Sequence, residues 1–311
     1  MKIALIGGSG FVGQFLVREL AADGHGCAVL TRCAARRREL GLAKSVRLIQ
    51  ADVFSPAQLS RHFEGAGAVV SMAGILNERG FGGKGFRKVH VELLEGIIGA
   101  CREAGINRLL HVSALNAGRG RSHYLQSKGE GEALLRDSGL DVTIFQPSVI
   151  FGPGDDFFNR FALLLKMAPV LPLACPKSRL QPVYAGDVAA AMASALENPA
   201  TFGRTYELGG PREYSLIELV RWTASVLGLS RWVVPLPNPL SRMQAAVLDF
   251  APGKPFSTDN YLSLQIDNIT QDNALPYFGI VPGSVEHIVP DYLGVSLRQR
   301  RLSEMRSRAG R

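Results

Sequence analysis

The feature that most restricts how this chain can fold lies within its first thirteen residues. An apolar run over 3–6 leads directly into Gly7-Gly8-Ser9-Gly10-Phe11-Val12-Gly13, and a helical pattern over 11–22 follows. A turn of this G-x-x-G-x-x-G spacing needs backbone at positive φ, room for a large anion, and a helix close to the preceding strand. The helix N-terminus then offers free N–H groups and the positive end of its dipole. Placed between strand and helix, the pattern reads as the phosphate-binding turn of a dinucleotide site. Gly7, Ser9, Gly10, Phe11, Val12 and Gly13 are its candidate contacts.

The rest of the first half repeats the strand–helix alternation. Further strands are predicted over 27–31, 46–51, 68–72, 108–113 and 142–146, and further helices over 56–64, 86–104 and 122–137. Such an order predicts an α/β fold, a doubly wound parallel sheet of the Rossmann type, with a smaller C-terminal substrate-side region. Residues 1–153 are expected to form the dinucleotide-binding core. Residues 154–295 form the substrate-side region, with segments such as 206–209 returning to the core, and 296–311 form a basic tail. In the second half Ser215 and Glu218 make a capping box for a helix over 215–227. Residues 238–250 have the pattern of an amphipathic helix, expected to pack as an ordinary core or subdomain helix, with membrane contact as the alternative.

Composition narrows the partners. No run of eighteen apolar residues is present, so no transmembrane helix is expected. The N-terminus reads as a buried strand rather than a signal peptide, which places the protein in the cytoplasm, or peripherally on the inner face of the membrane. Six arginines and one glutamate give the tail a net charge of +5, out of +8 for the whole chain. A tail of that kind suits an anionic membrane surface or an acidic partner. No interleaved aromatics support nucleic-acid binding. Cys27, Cys33, Cys101 and Cys175 form no C-x-x-C pair, so reduced thiols and no metal site are expected.

The segment after the second strand bears on cofactor choice. An acid there usually receives the ribose hydroxyls of NAD. Here the sequence reads Thr31-Arg32-Cys33, followed by Arg36, Arg37 and Arg38, with no acid before Glu39. A guanidinium suits a 2′-phosphate, which points to NADP(H) and to Arg32 as its contact. Asp52 and Val53 follow the third strand, where a carboxylate can accept from the adenine amino group. Ala73 and Gly74 follow the fourth, where small residues let a ribose pass. Tyr124 and Lys128 form a Y-x-x-x-K pair on one helix face, and Ser113 ends the fifth strand. A nearby ammonium favours the phenolate, so this spacing predicts a tyrosine of lowered pKa that exchanges a proton with a carbonyl or alcohol. Ser113 would hold the substrate oxygen.

Together these residues resemble the short-chain dehydrogenase/reductases. The segments GGSGFVG at 7–13, HVSALNA at 111–117, YLQSKGEGE at 124–132, QPSVIFGPGDDFFNRF at 146–161 and QPVYAGDVA at 181–189 are similar to the atypical group. That group includes the nucleotide-binding accessory subunit of respiratory complex I (alpha-subcomplex subunit 9) and its bacterial relatives. The resemblance implies an NADP(H) site with Tyr124 and Lys128 on the nicotinamide ribose and Pro147 beside the ring. It implies either hydride transfer to a small or lipophilic carbonyl, quinone-related, or a nucleotide held for structure in a respiratory-chain accessory protein. It makes Asp187 the cap of a helix starting at Val188. Two positions depart from extended relatives: His90 stands in the segment where an Asn orders a water beside the lysine, and Gln146 stands where Arg is frequent. Both count against nucleotide-sugar epimerase or dehydratase chemistry. His90 is expected to pack, and Asp155 and Asp156 to sit in a solvated loop.

Overall fold

Four apolar residues, Ile3, Ala4, Leu5 and Ile6, are each at most 1 % exposed. A strand that hides both faces must lie inside a sheet covered on both sides. The computed structural model, which describes residues 1–34, 41 and 43–294, shows that sheet. In chain order its first half contains β1 (Lys2–Ile6), α1 (Phe11–Ala22), β2 (Gly26–Thr31), β3 (Val46–Gln50), α2 (Pro56–Phe63) and β4 (Ala68–Ser71). There follow α3 (Lys84–Arg87), a π turn (Lys88–Glu92), α4 (Leu93–Glu103), β5 (Arg108–Val112), α5 (His123–Arg136) and β6 (Asp141–Pro147). The single helix expected over 86–104 is thus a continuous rod that starts earlier and widens in the middle. Arg36, Arg37, Arg38 and the tail at 296–311 lie outside the described residues.

The second half contains β7 (Ile150–Phe151), α6 (Phe157–Met167), β8 (Val170–Leu173), β9 (Arg179–Leu180), β10 (Val183–Tyr184), α7 (Ala185–Leu196) and β11 (Arg204–Leu208). Then come β12 (Tyr214–Ser215), α8 (Leu216–Val226), β13 (Trp232–Pro235), α9 (Asn238–Leu248), α10 (Thr258–Ser263) and α11 (Val285–Leu293). The main sheet has seven strands in the order β3-β2-β1-β4-β5-β6-β11, all parallel. Chain direction across the sheet reverses between β1 and β4, which opens a crevice at their carboxyl ends.

Alternation along the strands feeds two layers. Ile3, Leu5, Val70 and Leu110 face α1 and α7, whose Leu16, Val17, Val188 and Met192 complete that core. Ala4, Ile6, Val69 and Leu109 face the other way, against Leu59 and Phe63 of α2 and Leu94, Ile97 and Cys101 of α4. A third core, built from Phe151, Phe158, Leu165, Leu219, Val220 and Val289, holds the C-terminal helices together. The capping box at Ser215 and Glu218 is present, and it starts α8.

Two acidic residues depart from expectation. The helix expected from Val188 begins three residues sooner, at Ala185 with Tyr184 as its N-cap, so Asp187 lies in the first turn and caps nothing there. Its carboxylate instead accepts the N–H of Gly283 at 2.7 Å, tying a distant loop to α7. Asp155 is 3 % exposed and not solvated. It accepts from the N–H groups of Gly152 and Phe158 and from the Tyr292 hydroxyl of α11. Asp156 is exposed.

Arg108 joins three elements at the amino edge of the sheet. It is 7 % exposed and donates to the Ala195 and Leu196 carbonyls at the end of α7, to the Asp141 carbonyl of β6 and to Thr201 Oγ1. Its guanidinium also covers the Phe202 ring at 4.4 Å. Arg108→Met keeps the stem but orphans buried carbonyls. It is expected to lower unfolding free energy by about 3 kcal/mol, measured by chemical denaturation.

Candidate functional site

The expected contacts emerge along one edge. β1 pairs in register with β2 and β4, Ile6 lying beside Leu30 and Ser71, so the residues that follow all leave the sheet at the carboxyl side. Gly7 has φ +83°, and a Cβ there would come within 2.8 Å of the Ala73 backbone nitrogen. The turn therefore sits against the exit of β4. A Cβ on Gly13 would collide with the Gly7 carbonyl and Gly8 Cα, so only glycine lets α1 start this close. Ser9 donates to Thr31 Oγ1 at 3.1 Å, which ties the turn to the end of β2 and brings Arg32, exposed, beside it. Asp52 is exposed after β3 and accepts the Phe54 N–H, while Val53 is buried.

Helix α1 has Gly10 at its N-cap, no side-chain cap and no acid in its first turn. The N–H groups of Phe11, Val12 and Gly13 open toward the crevice end of the sheet with the positive end of the dipole. A glycine cradle next to such a terminus fits a pyrophosphate.

The Y-x-x-x-K helix lies across the exits of β4 and β5. Lys128, 5 % exposed, donates to the Val112 carbonyl at 3.1 Å, next to Ser113. Its Nζ would lie 3.5 Å from a Cβ placed on Gly74. Beyond Ser113, the Leu115 N–H bonds the Pro147 carbonyl at 3.0 Å. So Ala73, Gly74, Ser113, Lys128 and Pro147 are neighbours, and half-buried Tyr124 stands one turn before Lys128. Ser113 Oγ is buried and without a hydrogen-bond partner among the described residues, as is Nδ1 of His111. A buried hydroxyl without a partner costs free energy, so this one asks for an explanation.

Two glycines set the position of α5. A Cβ on Gly129 would collide with Gly118, and one on Gly131 with the His90 carbonyl. The helix is therefore seated against the π turn and against the loop after β5. His90 is 2 % exposed and bonds on both sides. Ser127 Oγ donates to the Tyr124 carbonyl, so it accepts from His90 Nδ1–H at 2.9 Å, and His90 Nε2 accepts the Ile75 N–H at 3.2 Å. This fixes a neutral tautomer; burial, then Lys128 and His111, push its pKa down to about 2. His90 packs, as expected, but it also latches the loop after β4 to α5.

Tyr124 differs from expectation. Burial and the Asp259 carboxylate push its pKa up to about 12 rather than down. Asp259 comes from α10 and accepts the N–H groups of His123 at 2.6 Å and Tyr124 at 3.2 Å, adding to the Ser122 cap of α5. Burial lowers Lys128 to about 8, against the opposing pull of Glu132. Gln146 donates to both oxygens of buried Glu132, which also pairs with Arg136 one turn along α5. Asp259, Ser127 and Glu132 were not singled out by sequence reasoning. Only the two helix glycines at 129 and 131, costly in a helix interior, signalled the close packing.

Because Lys128 binds its proton less readily folded than unfolded, its burial penalty is present below pH 8 and lost as pH rises toward 10.5. Relative to Lys128→Met, the wild-type chain should therefore gain up to about 3 kcal/mol of stability across that window. Parallel denaturant titrations at several pH values measure the difference; a flat difference contradicts it.

Comparison with known proteins agrees with this geometry. A family model described as NAD(P)H-binding matches residues 7–164. The chain is 31 % identical over 253 residues to the ceramide reductase of Caulobacter vibrioides, covering 79 % of this chain and 77 % of that one. It is 28 % identical over 293 residues to the mitochondrial NADH dehydrogenase [ubiquinone] 1 alpha subcomplex subunit 9 of Rattus norvegicus, covering 91 % and 77 %. A dTDP-glucose 4,6-dehydratase from Streptomyces venezuelae, solved with NAD, superposes with TM-score 0.75 at 21 % identity, over 94 % of this chain and 96 % of that one, and is similar in fold alone. Among the described residues no helix is long and apolar enough to cross a membrane.

Proposed function

Since this chain belongs to the NAD(P)H-binding, atypical short-chain dehydrogenase/reductases, we propose that it is an NADP(H)-dependent oxidoreductase acting on a small or lipophilic carbonyl, quinones included. The observation that carries this reading is the buried Ser113 hydroxyl, without a partner among the described residues, beside Lys128 and the Tyr124 helix. The relative named ceramide reductase supports a lipophilic substrate.

The nicotinamide nucleotide supplies or takes the hydride when bound. Ser113 Oγ–H donates to the substrate oxygen and holds it. Tyr124 gives its phenolic proton to that oxygen in reduction and takes it back in oxidation. An ammonium at Lys128 stabilises the phenolate left behind and bonds the ribose hydroxyls. Phe11, Val12 and Gly13 N–H groups receive the pyrophosphate, with Gly7, Ser9 and Gly10 shaping the turn. Asp52 and Val53 border the adenine, Ala73 and Gly74 leave room for the ribose, and Pro147 flanks the ring. Arg32 pairs with the 2′-phosphate, the ground for preferring NADP(H).

A second reading is favoured by the similarity to the complex I subunit over most of the chain. In it the nucleotide stabilises an accessory or assembly protein of the respiratory chain without turnover.

Fluorescence titration tests the cofactor. Arg32→Ala is expected to weaken NADPH at least ~10-fold and leave NADH nearly unchanged, as loss of a guanidinium–phosphate pair requires. Loss of NADPH absorbance against a panel of quinones and long-chain ketones tests the chemistry. Tyr124→Phe should cut kcat by about 100-fold or more while NADPH binding persists. Undiminished turnover in that variant sinks the oxidoreductase reading; tight NADPH binding with no wild-type turnover favours the second.

A further inference from the structure

The C-terminal helices leave a broad apolar surface uncovered. Helix α9 buries Ser241 and Ala245 completely, and turns Leu240, Met243 and Val247 outward, Met243 at 59 % exposure. Phe250, just past its end, is 82 % exposed. The small parallel sheet of β8 and β13 has the same asymmetry. Leu171, Leu173 and Val233 point into the core, while Val170 and its register partner Trp232, and Pro172 and its partner Val234, point outward. Leu163 and Met167 extend this face along α6.

These pieces join. The Gln244 side chain donates to the Pro172 carbonyl at 3.1 Å, which seats α9 along β8. The Phe250 ring lies 5.5 Å from that of Phe81, in the loop after β4. That loop is held to the C-terminal segment by Asn77 on the Lys254 carbonyl, by Ser257 on Asn77 and by Asn260 on the Leu76 carbonyl. One tract thus runs from the end of α6 to the loop that leads from Gly74 and Ile75 at the reaction centre. Contiguous apolar surface of this extent marks an interaction site.

Its charge identifies the partner. Residues 157–173 contain Arg160 and Lys166 and no acid. Residues 231–254 contain Arg231, Arg242 and Lys254 against one acid, Asp249, whose carboxylate accepts the Thr258 N–H. The Lys254 ammonium lies 4.1 Å over the Phe81 ring. Arg160, Arg231 and Lys254 donate to backbone carbonyls, but an exposed tryptophan, an outward apolar helix face and the exposed Lys166 and Arg242 suit the boundary between headgroups and acyl chains. The imbalance toward positive charge suits anionic lipid.

We propose that this tract docks the protein on the surface of an anionic lipid bilayer, with α9, Trp232 and Phe250 seated in the interfacial layer. A lipophilic substrate then passes from the bilayer beside Phe81 to Tyr124 and Ser113. That last step rests on the oxidoreductase reading; the docking does not.

Co-sedimentation of the full chain with vesicles tests it. The protein is expected to pellet with phosphatidylglycerol–phosphatidylcholine vesicles, and at least ~10-fold more weakly with phosphatidylcholine alone. The triple variant Trp232→Ser, Met243→Ser, Phe250→Ser should lose at least ~10-fold in binding to the anionic vesicles. NADPH fluorescence titration shows that the variant is folded and is independent of vesicle binding, so loss of turnover and loss of docking are read separately. The proposal is overturned if the wild-type chain stays in the supernatant with both vesicles, or if the triple variant pellets as the wild type does. It is equally overturned if light scattering finds a dimer that the triple variant dissolves, which makes the face a contact between two copies.

Discussion

The candidate site depends on how closely one helix can approach the sheet. Seating α5 against the π turn and the loop after β5 requires bare backbone at Gly129 and Gly131. From that seat Lys128 reaches the Val112 carbonyl, Ser127 meets His90, and the Tyr124 ring packs edge-on against Phe86 and His90. Each glycine costs about 1 kcal/mol of helix propensity, a price the close packing offsets. The same device operates at Gly7 and Gly13, where α1 starts almost on top of β1. Two close approaches, one at each helix, define the two ends of the crevice.

Electrostatics then divides labour within a small volume. Lys128, His90 and His111 are crowded together, and burial works against charge on all three. The ammonium alone has a carboxylate to support it, Glu132, itself balanced by Arg136 and Gln146. The two imidazoles stay neutral and serve as hydrogen-bonding or packing groups. Of these three groups only Lys128 carries charge, beside a hydroxyl that has no partner among the described residues.

What was legible in the sequence is what local patterning encodes. Apolar runs bounded by glycine gave the sheet strands within a residue or two, and the capping box at Ser215 and Glu218 announced α8. Glycine spacing placed a tight turn straight after β1, where Gly7 does adopt positive φ. The misreadings share one cause, partners distant in the chain. Asp155 looked solvated because Tyr292, which covers it, lies 137 positions away. Asp187 looked like a cap because Gly283 was invisible. The direction of the Tyr124 shift was set by burial and by Asp259, not by the lysine one turn away. The exposed side of α9 could not be told from a buried one, since an apolar stripe has the same period whether or not something covers it.

The Asp259 contact has a consequence for the order of events in the life of the chain. The carboxylate that completes the start of α5 is separated from His123 by 136 positions. Contacts so distant close late, and synthesis delivers the N-terminal half first. The glycine turn and most of the sheet can form while the helix bearing Tyr124 still lacks its second cap. The start of α5 is therefore completed only after the segment around Asp259 has been made. Asn260, in the same short helix, also straps the loop after β4, so one late segment closes two parts of the fold that form before it.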